Sequence, residues 1–163
     1  MKLVFVTQEL DPSHGALEQS LDLVRALAAR VDELAVVTRR VRWDGLPANA
    51  HTFTFDAAGR GGRVVAFERA LARATSRSDA VLVHMVPQFA LLAAPWARAR
   101  RVPLLLWYTH WHASRALRAA TRVVDVALSV DTSSYPVPTT KLRPIGHAID
   151  VERFAPRPVS PSE

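Results

Sequence analysis

Cysteine is absent from the 163 residues. Its absence removes a disulfide scaffold, a zinc-thiolate centre, an iron–sulfur cluster and a cysteine nucleophile together. Lysine is nearly absent too. Lys2 and Lys141 are the two present, so the 21 basic residues are almost all arginine. Long apolar runs are also missing. The longest charge-free stretch, Ala80–Ala97, contains His84, Pro87, Gln88 and Pro95, which argues against a membrane span. Leu3–Val6 is too short for the core of a signal peptide, and Gln8, Glu9 and Asp11 follow at once. There is no internal repeat and no long low-complexity segment.

What remains is the material of one soluble domain. Hydrophobic residues are 49% of the chain, enough for a core, and the length leaves no room for a second domain of ordinary size. The net charge is +6 with histidine neutral. Arg39, Arg40 and Arg42 form one arginine cluster, and Arg98, Arg100 and Arg101 another. Each reads either as a solvated surface or as the contact for an anionic partner: nucleic acid, phospholipid or phosphate.

Apolar strands alternate with amphipathic helices. Leu3–Thr7 and Leu34–Thr38 read as buried strands around a helix from Ala16 to Arg30, whose Leu17, Leu21, Val24, Ala28 and Val31 share one face. His51–Phe55 alternates like an edge strand. A helix over Val64–Ala74 is expected to turn Val64, Phe67, Leu71 and Ala74 inward. Strands are expected at Ala80–Val83, Leu104–Tyr108 and Val126–Val130, with a short seventh at Leu142–Ile145. Helices are expected from Pro87 to Arg100 and from Ala113 to Arg122. The fold class is therefore α/β: a Rossmann-like open parallel sheet of six or seven strands, helices on both faces and Leu3–Thr7 central. Residues 1–156 form the domain, and 157–163 read as a linker or tail.

Such sheets bind ligands beyond the carboxyl ends of their strands. The first strand end leads through Gln8–Gly15 into a helix, where a glycine can let phosphate approach backbone N–H groups. The segment is neither Gly-x-Gly-x-x-Gly nor a Walker loop, so an ordinary turn is the other reading. Two more strand ends carry histidines, His84 and His110, suggesting a shared cleft. His110 suits hydrogen bonding to a sugar hydroxyl or phosphate, and Tyr108 or Trp111 could offer a flat ring to a sugar or lipid. A structural hydrogen bond is the alternative for each histidine. His110-x-His112 lacks a third metal ligand at a recognisable spacing, and no nucleophile elbow is present. Arg115, Arg118 and Arg122 make a basic stripe on one helix.

The chain's end reads Lys141-Leu-Arg-Pro-Ile-Gly-His-Ala-Ile-Asp150-Val-Glu-Arg-Phe154-Ala-Pro156. This resembles the Ile/Val-Asp-x-x-x-Phe-x-Pro segment that closes the first domain of glycosyltransferase family 4, with Ile149, Asp150, Phe154 and Pro156 in register. Leu3–Val6 with the loop to Gly15, Ser78–His84, Pro103–His110 and Val124–Val130 resemble earlier segments of that family in the same order. The resemblance covers most of residues 1–156. Two departures stand out: the family's glycine pair is Gly15-Ala16 here, and the glycine before Asp150 is Ala148.

The resemblance implies the N-terminal, acceptor-side half of a GT-B enzyme, a retaining glycosyltransferase that moves a sugar from a nucleotide sugar to an acceptor hydroxyl. It implies His110 as the catalytic residue near the transferred sugar and Gly15 and Ala16 near the donor phosphates. His84, Tyr108 and Trp111 become acceptor-side candidates. The partners implied are a nucleotide-sugar donor, a hydroxyl acceptor and a C-terminal donor-binding domain supplied in cis or in trans, without which the chain should be inactive. No cofactor and no metal are implied, the nucleotide sugar being a co-substrate. The expected location is the cytoplasm, with peripheral contact to an anionic membrane and no specific nucleic acid. The competing expectation is a non-enzymatic single-domain protein that binds a partner or an anionic ligand, favoured by Ala16, Ala148 and the lack of a donor domain.

Overall fold

The computed structural model describes residues 1–13 and 18–146, without the side chains of residues 18 and 19. Within these, strand β1 (Lys2–Val6) is followed by the two-residue β2 (Glu9–Leu10), helix α1 (Glu18–Ala28), β3 (Glu33–Thr38), the two-residue β4 (Arg40–Val41) and β5 (Ala50–Thr54). Helix α2 (Gly59–Ala74) and a 3₁₀ turn lead to β6 (Ala80–His84), α3 (Pro87–Arg100), β7 (Leu104–Trp107), α4 (Arg115–Val123), β8 (Val126–Ser129) and β9 (Leu142–Pro144).

Seven strands form one sheet in the order β5-β3-β1-β6-β7-β8-β9, every pair parallel. The expected α/β class and strand number hold. Leu3–Thr7 is interior as expected but one place off centre, and β6 takes the middle position. The apolar runs explain the arrangement. Val4, Phe5 and Val6 are completely buried, as parallel strands covered on both faces must be. From β1 the chain steps outward through β3 to β5, then returns and builds the other half from β6. The order therefore reverses between β1 and β6, with Val6 beside Val83 in register.

The two faces are covered unequally. Phe67, Leu71, Ala90, Ala94, Leu117 and Ala120 of α2, α3 and α4 pack on one face. On the other, Leu21, Val24 and Ala28 of α1 pack against Leu3, Phe5, Leu34 and Val36. Small residues line the inner side of α3, at Ala90, Ala93, Ala94 and Ala97. They let its backbone lie close to the sheet, and no side-chain cap holds its N-terminus, where Pro87 stands.

One local expectation is corrected, one pairing was not expected, and several expectations go untested. Helix α2 begins a turn earlier than expected, and Val64 is 45% exposed rather than inward. Its first turns stay largely exposed, whereas Phe67, Leu71 and Ala74 do reach the core. The pairing of β2 with β4 is a second, two-stranded parallel sheet that the sequence pattern does not announce. Finally, Gly15, Ala16, Ile149, Asp150, Phe154 and Pro156, and the boundary at 156, lie outside the described residues.

Candidate functional site

The carboxyl ends of the parallel strands share one edge of the molecule. At the reversal point, Thr7 follows β1 and His84 ends β6. Thr7 is fixed by its backbone N–H, which donates to the Val37 carbonyl at 3.0 Å. Its hydroxyl lies 3.5 Å from the His84 Nδ1 and 3.5 Å from the hydroxyl of Ser20, in the first turn of α1. These are long contacts, at the outer limit of hydrogen bonding. They nevertheless connect three polar groups in a row, and Thr7 and Ser20 are both buried. The His84 ring packs between Phe5, with centroids 5.8 Å apart, and Trp107, at 5.6 Å and nearly edge-on.

Burial among these rings disfavours the charged form of His84 and lowers its pKa to about 4. At neutral pH the imidazole is therefore uncharged, with one donor and one acceptor nitrogen. The next residue, Met85, has a φ of 63°, in the left-handed region that costs a non-glycine residue free energy. A tight three-residue turn requires it, because the Val86 N–H donates back to the His84 carbonyl at 2.9 Å. The Met85 N–H meanwhile donates to the Trp107 carbonyl at 2.8 Å. His84 is thus held by its backbone as well as by its ring.

The loop after β1 is braced by charge. The Gln8 carbonyl accepts from the Arg39 N–H at 2.8 Å and from the Thr38 hydroxyl at 3.1 Å. Arg39 reaches Glu9 at 3.3 Å and Asp56 at 3.4 Å, Arg40 reaches Asp56 at 2.6 Å, and Arg42 reaches Asp11 at 3.6 Å. The guanidinium of Arg40 holds the Asp56 carboxyl below its usual range, with Arg39 assisting. This arginine cluster, open to an anionic partner on sequence grounds, is instead matched by acids of the same chain.

His110 follows β7 and is exposed. Its backbone N–H donates to the Ser134 carbonyl at 3.0 Å, and its Nδ1 accepts from the His112 N–H at 3.0 Å. With Nδ1 occupied as an acceptor, a neutral His110 carries its proton on Nε2. Ser134 is itself fixed by Asp131, whose carboxylate accepts from the N–H and hydroxyl groups of Ser133 and Ser134. Those bonds hold Asp131 below the usual carboxylate range.

Trp111 is 80% exposed and free to meet a ligand. Tyr108 is not such a platform. It is 8% exposed, sits edge-on against Tyr135, and donates its hydroxyl to the His112 carbonyl at 3.1 Å. Strand alternation points it into the layer under α3 and α4, so its ring serves the core and its hydroxyl shapes the His110 loop.

The two histidines share the edge but not their surroundings. His84 stands with Phe5 and Trp107 on the α1 side, whereas His110 neighbours Tyr108 and Trp111. The structure does not describe Gly15 or Ala16, so their relation to either ring is outside it. Sequence reasoning missed Thr7 and Ser20; the one signal was a polar residue closing an apolar strand. Among the described residues, no group of three potential metal-ligating side chains stands together. Nor is any helix among them long and apolar enough to cross a membrane.

No protein-family model matches the chain, and no curated protein matches its sequence. Solved structures do match. Anabaena Alr3699/HepE in complex with UDP and glucose superposes with a TM-score of 0.68 at 16% identity, over 97% of this chain and 47% of that one. Acinetobacter baumannii MurG gives 0.61 at 13% identity, over 96% and 48%. The UDP-GlcNAc 2-epimerase of Methanocaldococcus jannaschii gives 0.62 at 12% identity, over 90% and 45%. The chain therefore spans about half the length of the proteins it matches, and at these identities what it shares with them is the fold.

Proposed function

We propose that the chain is the acceptor-side half of a retaining glycosyltransferase, which moves a sugar from a nucleotide sugar to an acceptor hydroxyl together with a donor-binding domain. The observation that carries this reading is the fit of nearly the whole chain onto about half of Alr3699/HepE, a protein crystallised with UDP and with glucose. The resemblance of residues 141–156 to a family 4 segment supports it independently.

In this reading the chemistry is positioning plus stabilisation of a departing diphosphate. The loop through Gly15 and Ala16 takes the donor phosphates. The Nε2 of His110 donates to a hydroxyl of the transferred sugar, from a backbone held by Ser134. Neutral His84 offers acceptor-side polarity without an extra positive charge to hold the diphosphate back. Trp111 gives a ring face at the mouth. Tyr108 acts through the loop by holding the His112 carbonyl.

The experiment is a transferase assay on the chain alone, on a donor-binding Rossmann domain alone, and on the two combined. Transfer is expected only from the combination. If the combination is inactive with every nucleotide sugar offered while the chain binds a protein partner, the non-enzymatic reading replaces this one.

A further inference from the structure

We infer that Asp131 is the positioning residue of His110, acting through the loop after β8 that receives the His110 N–H. The inference rests on the proposed function for its effect on turnover, and on geometry alone for its effect on the histidine. Strand β7 ends at Trp107, and the Tyr108 N–H still donates to the Leu128 carbonyl of β8 at 2.9 Å. His110 stands two residues further on, past the end of the strand. Its backbone N–H is held there by the Ser134 carbonyl at 3.0 Å. The loop after β8 therefore places His110, rather than its own strand.

One side chain closes that loop. Among the described residues, no backbone N–H of residues 131–134 donates to a backbone carbonyl. The Asp131 carboxylate accepts instead. Its Oδ1 takes the Ser133 N–H at 2.7 Å, the Ser133 hydroxyl at 2.7 Å and the Ser134 N–H at 2.8 Å. Its Oδ2 takes the Ser134 hydroxyl at 3.0 Å. Downstream, Tyr135 is buried, with its hydroxyl 2.7 Å from that of Thr121 in α4. Ser134 thus stands between an anchored tyrosine and a turn whose shape depends on Asp131.

The consequence reaches the imidazole. The His112 N–H donates to the His110 Nδ1 at 3.0 Å, which leaves Nε2 to carry the proton of the neutral ring. That bond forms only while the backbone from His110 to His112 keeps its path. Tyr108 fixes one end of the path through the His112 carbonyl, and Ser134 fixes the other through the His110 N–H. Releasing the Ser134 carbonyl frees the ring to turn and to exchange tautomers. A reacting group displaced by about 1 Å can cost about 100-fold in rate.

Placement and charge are separable at Asp131. Three of the four bonds fall on Oδ1, so asparagine keeps them, and its Nδ2 can donate to the Ser134 hydroxyl. Glutamate keeps the charge but carries its carboxylate one methylene further out, so it does not close the same turn.

The test uses the full chain alone, and the chain combined with a donor-binding domain. In the chain alone, amide hydrogen exchange and the chemical shifts of the ring nitrogens of neutral His110 report its placement directly. The parent and Asp131→Asn should show a protected His110 amide and the proton on Nε2. Asp131→Ala and Asp131→Glu should exchange that amide about tenfold faster or more, and show both tautomers. In the combined enzyme, Asp131→Ala and Asp131→Glu should lower kcat about tenfold or more, with KM for donor and acceptor within about twofold. Asp131→Asn should keep kcat within about threefold of the parent. Because Asp131 is exposed, the melting temperature of each variant should fall by no more than about 4 °C. An unchanged His110 amide and tautomer in Asp131→Ala would overturn the inference. So would an Asp131→Asn as impaired as Asp131→Ala, an Asp131→Glu equal to the parent, or a turnover loss that merely tracks unfolding. If the parent combination transfers no sugar, the proposed function fails, and the His110 exchange and tautomer alone decide this inference.

Discussion

Two histidines at strand ends illustrate how differently one residue type behaves in two settings. His84 is enclosed by Phe5, Thr7 and Trp107, and no charged group is among those ring and side-chain neighbours. Its folded pKa of about 4 lies below the ordinary value of 6.5, so the unfolded chain takes up the proton first. Stability is therefore complete above pH 6.5 and falls as the pH drops toward about 4. By about pH 5 the loss should reach roughly 2 kcal/mol. Urea unfolding at neutral pH and near pH 5 should show that slope in the parent and a flatter one in His84→Asn. The carboxylates held low, Asp56 and Asp131, lose their contributions only below this window. His110, by contrast, is exposed and makes its side-chain bond within its own loop. In an enzyme completed by a donor domain, His110→Ala should lower turnover at least tenfold, about 1.4 kcal/mol, and leave the melting temperature nearly unchanged. Full turnover with a large loss of stability would assign the residue to the core instead. Both histidines were visible in the sequence as polar residues closing apolar strands. The burial of Tyr108 was not, because its neighbours Thr109 and His110 are polar and its inward partner, Tyr135, lies far along the chain.

The strands and most helices were legible because their signals are local. Uninterrupted apolar runs mark β1, β3 and β6, and Pro87 marks the start of α3. The β2–β4 pair was not legible, since two residues carry no period and their pairing follows from how the longer strands place Glu9 beside Arg40. The same holds for the arginine cluster, whose acids come from two segments, Glu9 and Asp11 after β1 and Asp56 after β5. Helix α4 shows what a single side chain can add at this scale. Ser114 caps its start by accepting from the Leu117 N–H at 3.0 Å. At its end the Lys141 Nζ donates to the carbonyls of Thr121, Arg122 and Val124 at 3.2, 3.0 and 2.7 Å. The lysine thus satisfies carbonyls that the last turn leaves open and places positive charge at the negative end of the helix dipole. Lys141→Met keeps much of the stem and removes those bonds. It should cost about 1–2 kcal/mol in chemical denaturation, and hydrogen exchange should speed up at the last turn of α4. A change confined to β9 would place the lysine's role in the edge strand.

At the scale of the whole molecule, the proposed acceptor-side role leads to an expectation for the isolated chain. With no donor-binding domain present, calorimetry with UDP-sugars should give binding weaker than about 10 μM, or roughly −7 kcal/mol. Tighter binding would mean that this half suffices to hold the donor. The strand order has another consequence, for synthesis on the ribosome. β1 is made first but is completed on one side only by β6, so Val6 waits for Val83. A nascent chain halted before Ala80 can pair β1 with β3 while leaving the other edge of a strand that is apolar from Leu3 to Val6 unpaired. Such an edge is a template for association with any other extended chain. Release of the strand Ala80–His84 from the exit tunnel therefore seals that edge of β1, and the exposed apolar edge passes to β6 until Leu104–Trp107 pairs with it.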